Sequence, residues 1–339
     1  MIWLILLIIL APLCYVAGFI LDRGAFPAVK GKWGPEDWGN FLRGVSYLLF
    51  AVILVILLFG AGAELLSEKK PISEVQAREL ALILPVSEAT YVPIRDFNVA
   101  DPIIEARAAI VTDARSGRIL FAQNADKRLP IASITKLMTA LVVLERLDLE
   151  ATYSVSAEDL NLDGLGADFA KGEQLSGHDL LATMLIKSSN DAASVFASTA
   201  QGLGIDLVAL MNQKAQQLGM LDTKFNDPAG LDDGSTYSTA QDLVKLLTAT
   251  RKNTDITQTL TRTSADIAGR HLENTNKLLG KIPGIVIGKT GNTTGALGTM
   301  ALMSGAGNGE EIIVIVLGSK DRFGDAEMLV KWTEKAYTW

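Results

Sequence analysis

Twice before residue 64 the chain loses every charge: from Ile2 to Leu21 and again from Gly44 to Ala63 it carries no Asp, Glu, Lys or Arg. Each run is about 20 residues, the length at which an α-helix crosses the hydrocarbon core of a bilayer, so the pattern predicts two membrane spans. No Lys or Arg precedes the first run and no small-x-small cleavage site closes it, which favours a span over a cleaved signal peptide. Arg23, Lys30, Lys32 and Arg43 lie between the runs, against Lys69, Lys70 and Arg78 after the second, a balance that puts the loop in the cytoplasm and both ends outside. Val75 to Leu84 then predicts a short amphipathic helix, and Pro85, Pro93 and Pro102 punctuate an extended linker. The expected organisation is a two-helix membrane anchor over 1–66, a juxtamembrane helix and linker over 67–105, and one domain over 106–339.

From Ala106 the periodicity changes. "AAIVTD" and "RILFAQ", separated by "ARSG", predict a β-hairpin in which Gly117 serves the turn. Helical patterns follow over Ile131–Leu147, Ser176–Lys187, Asp206–Leu218 and Thr239–Asn253, the second opened by Ser176 and Asp179 as a capping box. Strands return as "GIVIGKT", "LGTMALMS" and "EIIVIVLGS", and an amphipathic helix over Asp325–Tyr337 closes the chain. Strands at both ends with helices between them predict an α+β domain: one antiparallel sheet assembled from both ends, carrying an inserted helical lobe.

Composition narrows the chemistry. A single cysteine, Cys14, inside the first apolar run, rules out disulfides and thiolate metal clusters. Two histidines without ligand spacing point to no metal site and no cofactor, and a net charge of −7 with no basic cluster points away from nucleic acid.

The helix "LPIASITKLMTALVVLE" is apolar nearly all round, yet holds Ser133 and Lys136 one turn apart on the same face. Burial disfavours the charged form of a lysine. A neutral Lys136 can take the proton of Ser133, whose place near the positive end of the helix favours developing negative charge. S-x-x-K alone is weak, since a snorkelling surface lysine gives the same pattern and "SEKK" at Ser67–Lys70 repeats it in a charged stretch. Two further motifs sharpen it. "IKSSNDAA" carries Ser188 and Asn190 as S-x-N in a loop between helices, and "VIGKTGNTTGA" carries Lys289, Thr290 and Gly291 at the end of a strand. There a cation and a hydroxyl can hold a carboxylate while the strand edge pairs with an extended substrate.

The order S-x-x-K, S-x-N, K-T-G is the motif set of class A β-lactamases and penicillin-binding proteins. From about Ala106 onward the chain resembles the low-molecular-mass D-alanyl-D-alanine carboxypeptidases, serine peptidase family S11, also through "IVTDARSGRILFAQNADKRLPIASITKLMTA", "MLIKSSNDAA", "FNDPAGLDDGSTYSTAQDL" and "NTNKLL". The resemblance implies Ser133 as acylated nucleophile, Lys136 as its base, and Ser188 with Asn190 as a proton-relay and substrate-holding pair. It implies Lys289 and Thr290 on the substrate's terminal carboxylate, with the backbone N–H groups of Ser133 and Asn292 as oxyanion hole. Peptidoglycan stem peptides would be the substrate and β-lactams covalent inhibitors. The lipid bilayer would hold the spans, and the domain would face outward.

Three other readings are weighed against this one. Class A β-lactamases add a deacylating glutamate in E-x-x-L-N, where this chain reads "KFNDPAGLDDG"; the complete motif set argues against a silent receptor; and a Ser-His-Asp hydrolase would need His178 or His271. One departure suggests endopeptidase action on cross-linked peptides. Counting back from "IVLG" puts Glu311 where relatives often carry a carboxylate-binding arginine, with Arg322 as an alternative from the loop after the strand.

Overall fold

Alternate residues of the strand Glu311–Ser319 go to different cores. Ile313, Ile315 and Leu317 pack into a cluster shared with the helical lobe, whereas Ile312, Val314 and Val316 pack against the C-terminal helix. A strand covered on both faces reads as an unbroken apolar run, as "IIVIVL" does. The computed structural model describes residues 39, 40, 42, 44–47, 92–160, 164–231, 235–307 and 309–339. The expected first span and the amphipathic helix Val75–Leu84 lie outside the described residues, as does most of the second span; Gly44 to Tyr47 are helical. Among the described residues no single helix is long and apolar enough to cross a membrane.

The central sheet has the order β3-β2-β10-β9-β8, built from β2 (Ala108–Asp113), β3 (Ile119–Gln123), β8 (Ile285–Thr293), β9 (Leu297–Gly305) and β10 (Glu311–Ser319). Every neighbour is antiparallel, and β2 joins β10 in register from Asp113↔Ile312 to Ala108↔Leu317. The expected closure of one sheet from both ends of the domain is therefore observed. The inserted lobe contains α1 (Thr135–Arg146), α2 (Gly177–Ile186), α3 (Asn190–Gly202), α4 (Leu207–Gln217), α5 (Ala240–Arg251) and α6 (Thr254–Leu260). Ser176 caps α2 as predicted, its hydroxyl accepting from the Asp179 N–H at 3.1 Å. Two ribbons were not predicted: β4 (Thr152–Ser154) with β5 (Gln174–Ser176), and β6 (Ser264–Ile267) with β7 (Arg270–Glu273). Their strands are too short for period-two alternation to show.

The chain divides into two units, Met1–Ala89 and Thr90–Trp339. The boundary expected at Ala106 is thus too late. Residues 92–105 belong to the domain: β1 (Ile94–Arg95) pairs antiparallel with β11 (Tyr337–Thr338), which follows the C-terminal helix α7 (Arg322–Ala336). The Asp96 N–H donates to Ala336 O at 2.8 Å, Trp332 Nε1 to Ala100 O at 2.8 Å, and the Glu105 N–H to Asp325 Oδ1 at 3.1 Å. Pro93 and Pro102, which read as part of an extended linker, instead lie in an irregular strap held by hydrogen bonds to α7 and β11; Pro85 lies outside the described residues.

Candidate active site

Ser133 lies in a single 3-10 turn, Ala132–Ile134, immediately before α1. Residues three apart lie on one side of a helical segment, and Lys136, the second residue of α1, puts Nζ 3.0 Å from Ser133 Oγ. The turn is forced by its neighbours. Ala132 has φ +50°, a left-handed conformation that costs a non-glycine residue about 1 kcal/mol or more. Its carbonyl faces Gly230, where a Cβ would come within 2.0 Å of Ala132 O, so only glycine fits. Thr299 Oγ1 on β9 donates to Ile131 O at 3.0 Å and ties the turn to the sheet.

Lys136 is fully buried, and its other contacts decide how it works. Nζ lies 2.7 Å from Asn190 Oδ1 and 2.7 Å from Ala229 O. Both oxygens only accept, so they claim two N–H bonds, and in the neutral amine the lone pair is left facing Ser133. Burial lowers the Lys136 pKa to about 7, opposed by the charges of Asp227 and Asp191. Neither carboxylate contacts the amine directly. Asp227 Oδ1 accepts from the N–H groups of Ala229 and Gly230, at 2.8 and 2.6 Å, and so shapes the turn that aims Ala229 O at Lys136. Asp191 Oδ2 accepts from the Ala167 N–H at 3.0 Å, and burial raises its pKa.

The S-x-N segment closes the other wall. Ser189 caps α3 through the Ala192 N–H at 3.1 Å, which fixes Asn190 as the first helical residue. Ser188 is held at φ +64° just before it. Lys289 Nζ donates to Ser188 Oγ at 2.7 Å and to Thr290 O at 3.1 Å. Lys289 is also fully buried, and its pKa falls well below the ordinary lysine value through burial first, then the charges of Lys136 and Arg322. Thr290 Oγ1 lies 2.7 Å from Thr275 Oγ1.

Strand β8, the free edge of the five-stranded sheet, passes directly beside the nucleophile. A Cβ at Gly291 would lie 2.4 Å from Thr299 Oγ1, 2.8 Å from Ala132 Cβ and 2.9 Å from Ser133 N. Asn292 follows, exposed on the edge, with Arg322 Nη1 3.2 Å from its Oδ1. Ser133, Lys136, Ser188, Asn190, Lys289, Thr290, Gly291 and Asn292 thus converge on one cleft.

Glu311 is not part of it. Register places Lys289 opposite Ala301 and Ala301 opposite Ile315, whereas Glu311 pairs with Gly305 four residues away along β10. Its carboxylate binds Arg251 at 3.2 Å instead. The cleft lies at the Ser319 end of β10, so the arginine beside it is Arg322, the first residue of α7. His178 and His271 pair with Glu150 and Asp266, at 3.1 and 2.8 Å, and neither reaches Ser133. Asp227, Thr275 and the Ala229 carbonyl were not singled out from sequence; "NDPAG" and "NTNKLL" carried the only signal, as segments of the resemblance.

A buried lysine aimed at a serine that follows a strained residue, a second Ser–Lys contact and a strand edge together define a penicillin-binding, β-lactamase-like serine acyl-transfer site. Residues 95–321 match the model of the S11 peptidases, D-alanyl-D-alanine carboxypeptidase, and the chain belongs to that family. It is 36% identical over 239 residues to a D-alanyl-D-alanine endopeptidase of Pseudomonas aeruginosa, spanning 67% of this chain and 76% of that one. It is 30% identical over 235 residues to a D-alanyl-D-alanine carboxypeptidase of Bacillus subtilis, spanning 66% and 60%. Among solved structures, the D-alanyl-D-alanine carboxypeptidase of Mycobacterium tuberculosis H37Rv superposes with TM-score 0.65 at 30% identity, covering 70% of this chain and 95% of that one. Ampicillin-bound penicillin-binding protein D2 of Listeria monocytogenes gives 0.63 at 33% identity, covering 69% and 99%.

Proposed function

We propose that this protein is a serine-type D-Ala-D-Ala carboxypeptidase that trims peptidoglycan stem peptides through an acyl-enzyme on Ser133. Neutral Lys136 takes the Ser133 proton as Oγ bonds to the carbonyl carbon between the two D-alanines. The oxyanion rests on the N–H groups of Ser133 and Asn292. The C–N bond then breaks, and the leaving nitrogen takes a proton handed on through Ser188. Water adds to the ester, Lys136 accepting its proton and passing it to Ser133 Oγ as the acyl C–O bond breaks, which frees the serine hydroxyl and restores the neutral amine. Asn190 holds the peptide, while Lys289 and Thr290, with Arg322 nearby, bind the terminal carboxylate. The substrate lies outside the cytoplasmic membrane, which supports two N-terminal spans as tether and an outward-facing domain.

The observation that carries this reading is the Lys136 amine, with two N–H bonds claimed by acceptor-only oxygens and its remaining valence facing Ser133. A second reading, cleavage of cross-linked peptides, no longer has Glu311 behind it, but relatives of P. aeruginosa and Escherichia coli are endopeptidases by name. Intact-mass analysis after penicillin exposure tests the chemistry. A long-lived adduct on Ser133, absent in Ser133→Ala, is expected; rapid turnover without an adduct would point to a β-lactamase. The same preparation, offered a stem pentapeptide and a D-alanyl cross-linked dimer, separates the two peptidase readings by which one it cleaves faster.

A further inference from the structure

The hydroxyl of Thr290 points at a neighbour that none of the three motifs contains. Thr290 is 3% exposed and donates to Thr275 Oγ1 at 2.7 Å. Thr275 comes from the segment between β7 and β8, and its own N–H donates to Ile186 O at 3.1 Å, at the last residue of α2. Lys187 and Ser188 follow at once. Thr275 is thus fixed by its backbone to the wall that carries Ser188 and by its side chain to the wall that carries Lys289 and Thr290. Thr275 is half-buried, and its partner Thr290 directly follows Lys289 on β8.

A carboxylate can only accept hydrogen bonds. When a substrate's terminal carboxylate reaches Thr290, the Thr290 proton must turn from Thr275 toward it. The 2.7 Å contact then survives only if the Thr275 hydroxyl turns as well and becomes the donor. A hydroxyl chain ending on an anion is stronger than a neutral pair, because each bond polarises the next. We propose that Thr275 is a positioning residue for carboxylate recognition: it holds the Thr290 hydroxyl in the empty site and reverses the bond to support it when a free C-terminus binds. The proposal rests on the reading of Thr290 as carboxylate ligand given above. It makes selectivity for a free C-terminus depend on a residue outside the three motifs.

Removing the Thr275 hydroxyl costs the bound state more than the empty one, since only the bound chain ends on a charge. The test compares full-length wild type, Thr275→Val and Thr275→Ser on a D-Ala-D-Ala stem peptide with a free C-terminus and on its C-terminal carboxamide. Fluorescent penicillin labelling of each variant verifies Ser133 acylation. The ratio of kcat/KM for acid over amide is expected to fall about five- to tenfold in Thr275→Val, the equivalent of one hydrogen bond. The loss should lie mainly in KM, and Thr275→Ser should restore the ratio. If Thr275→Val lowers both substrates equally, or moves only Tm, Thr275 merely spaces the walls and the proposal fails. An unchanged ratio with normal labelling overturns the proposal alone. Absence of labelling in wild type overturns the catalytic reading, and the proposal with it.

Discussion

A lysine with no exposed surface would ordinarily be a defect, because burying an ammonium is costly unless it is paired. Lys136 meets two neutral oxygens and a hydroxyl rather than a carboxylate, so the structure favours the amine over the ion. With its pKa lowered to about 7, the acylation rate should rise with pH to a plateau above neutrality and fall about tenfold per pH unit below it. Asp227 and Asp191 hold that value up against the burial that lowers it. Asp227→Asn keeps an acceptor for the turn and removes a charge, so the acid limb should move to lower pH; Lys136→Arg should be nearly inactive, since guanidinium does not deprotonate. Stopped-flow penicillin acylation across pH 5 to 9 measures both, and an acid limb unmoved by Asp227→Asn would remove that carboxylate from the role. The reactive residues were legible from sequence because S-x-x-K is a local spacing. Asp227 was not, since it acts by shaping a turn at Ala229 and Gly230, whose carbonyl acceptor lies 93 positions from Lys136 in the chain and is brought to the lysine only by the fold.

At the scale of elements, the site is a seam between α1 and its 3-10 turn, the loop before α3, and the edge strand β8. Glycine decides how closely the strand can approach. A methyl at Gly291 would stand 2.9 Å from Ser133 N and 2.8 Å from Ala132 Cβ, both fixed by the strained turn. Gly291→Ala must therefore displace β8 or the nucleophile, and misplacement by about 1 Å can reduce a rate on the order of 100-fold. The expected result is a loss of that size in acylation with little change in far-ultraviolet circular dichroism; near-normal acylation would mean that the strand slides without consequence. Helices α2, α4 and α5 were legible within a residue or two, because their apolar stripes and caps agree. The start of α1 was not: Ala132 to Ile134, read as part of its first turn, fold instead as a tighter 3-10 turn capped by Ile131, a distortion imposed by β9 and Gly230. The position assigned to Glu311 failed for a similar reason. Counting along one strand gives no register against the next, and the arginine beside the cleft lies beyond the strand's end.

For the whole molecule, the question is where the catalytic domain begins. Composition placed the start at Ala106, where alternation becomes strand-like, because residues 92–105 bury few side chains and carry two prolines. Besides Val99 and Ile104, which pack on the core, they are held by backbone and tryptophan hydrogen bonds, which leave no hydrophobic pattern to read. A chain beginning at Ala106 would lose the bonds to Ala336 O, Trp332 Nε1 and Asp325 Oδ1, and would leave β11 without its partner. At about 1 kcal/mol net for each of those three bonds, the loss is about 3 kcal/mol, or roughly 6–12 °C in Tm for a domain of this size. A chain beginning at Thr90 keeps all of them. Thermal unfolding of the two truncations, each followed by penicillin labelling of Ser133, tests the boundary. The longer should melt higher by that margin and label like the full chain, since the cleft residues all lie beyond the strap. Equal Tm values would mean that the strap rests on the domain without stabilising it, and failure of the longer fragment to fold would show that the domain needs residues before Thr90.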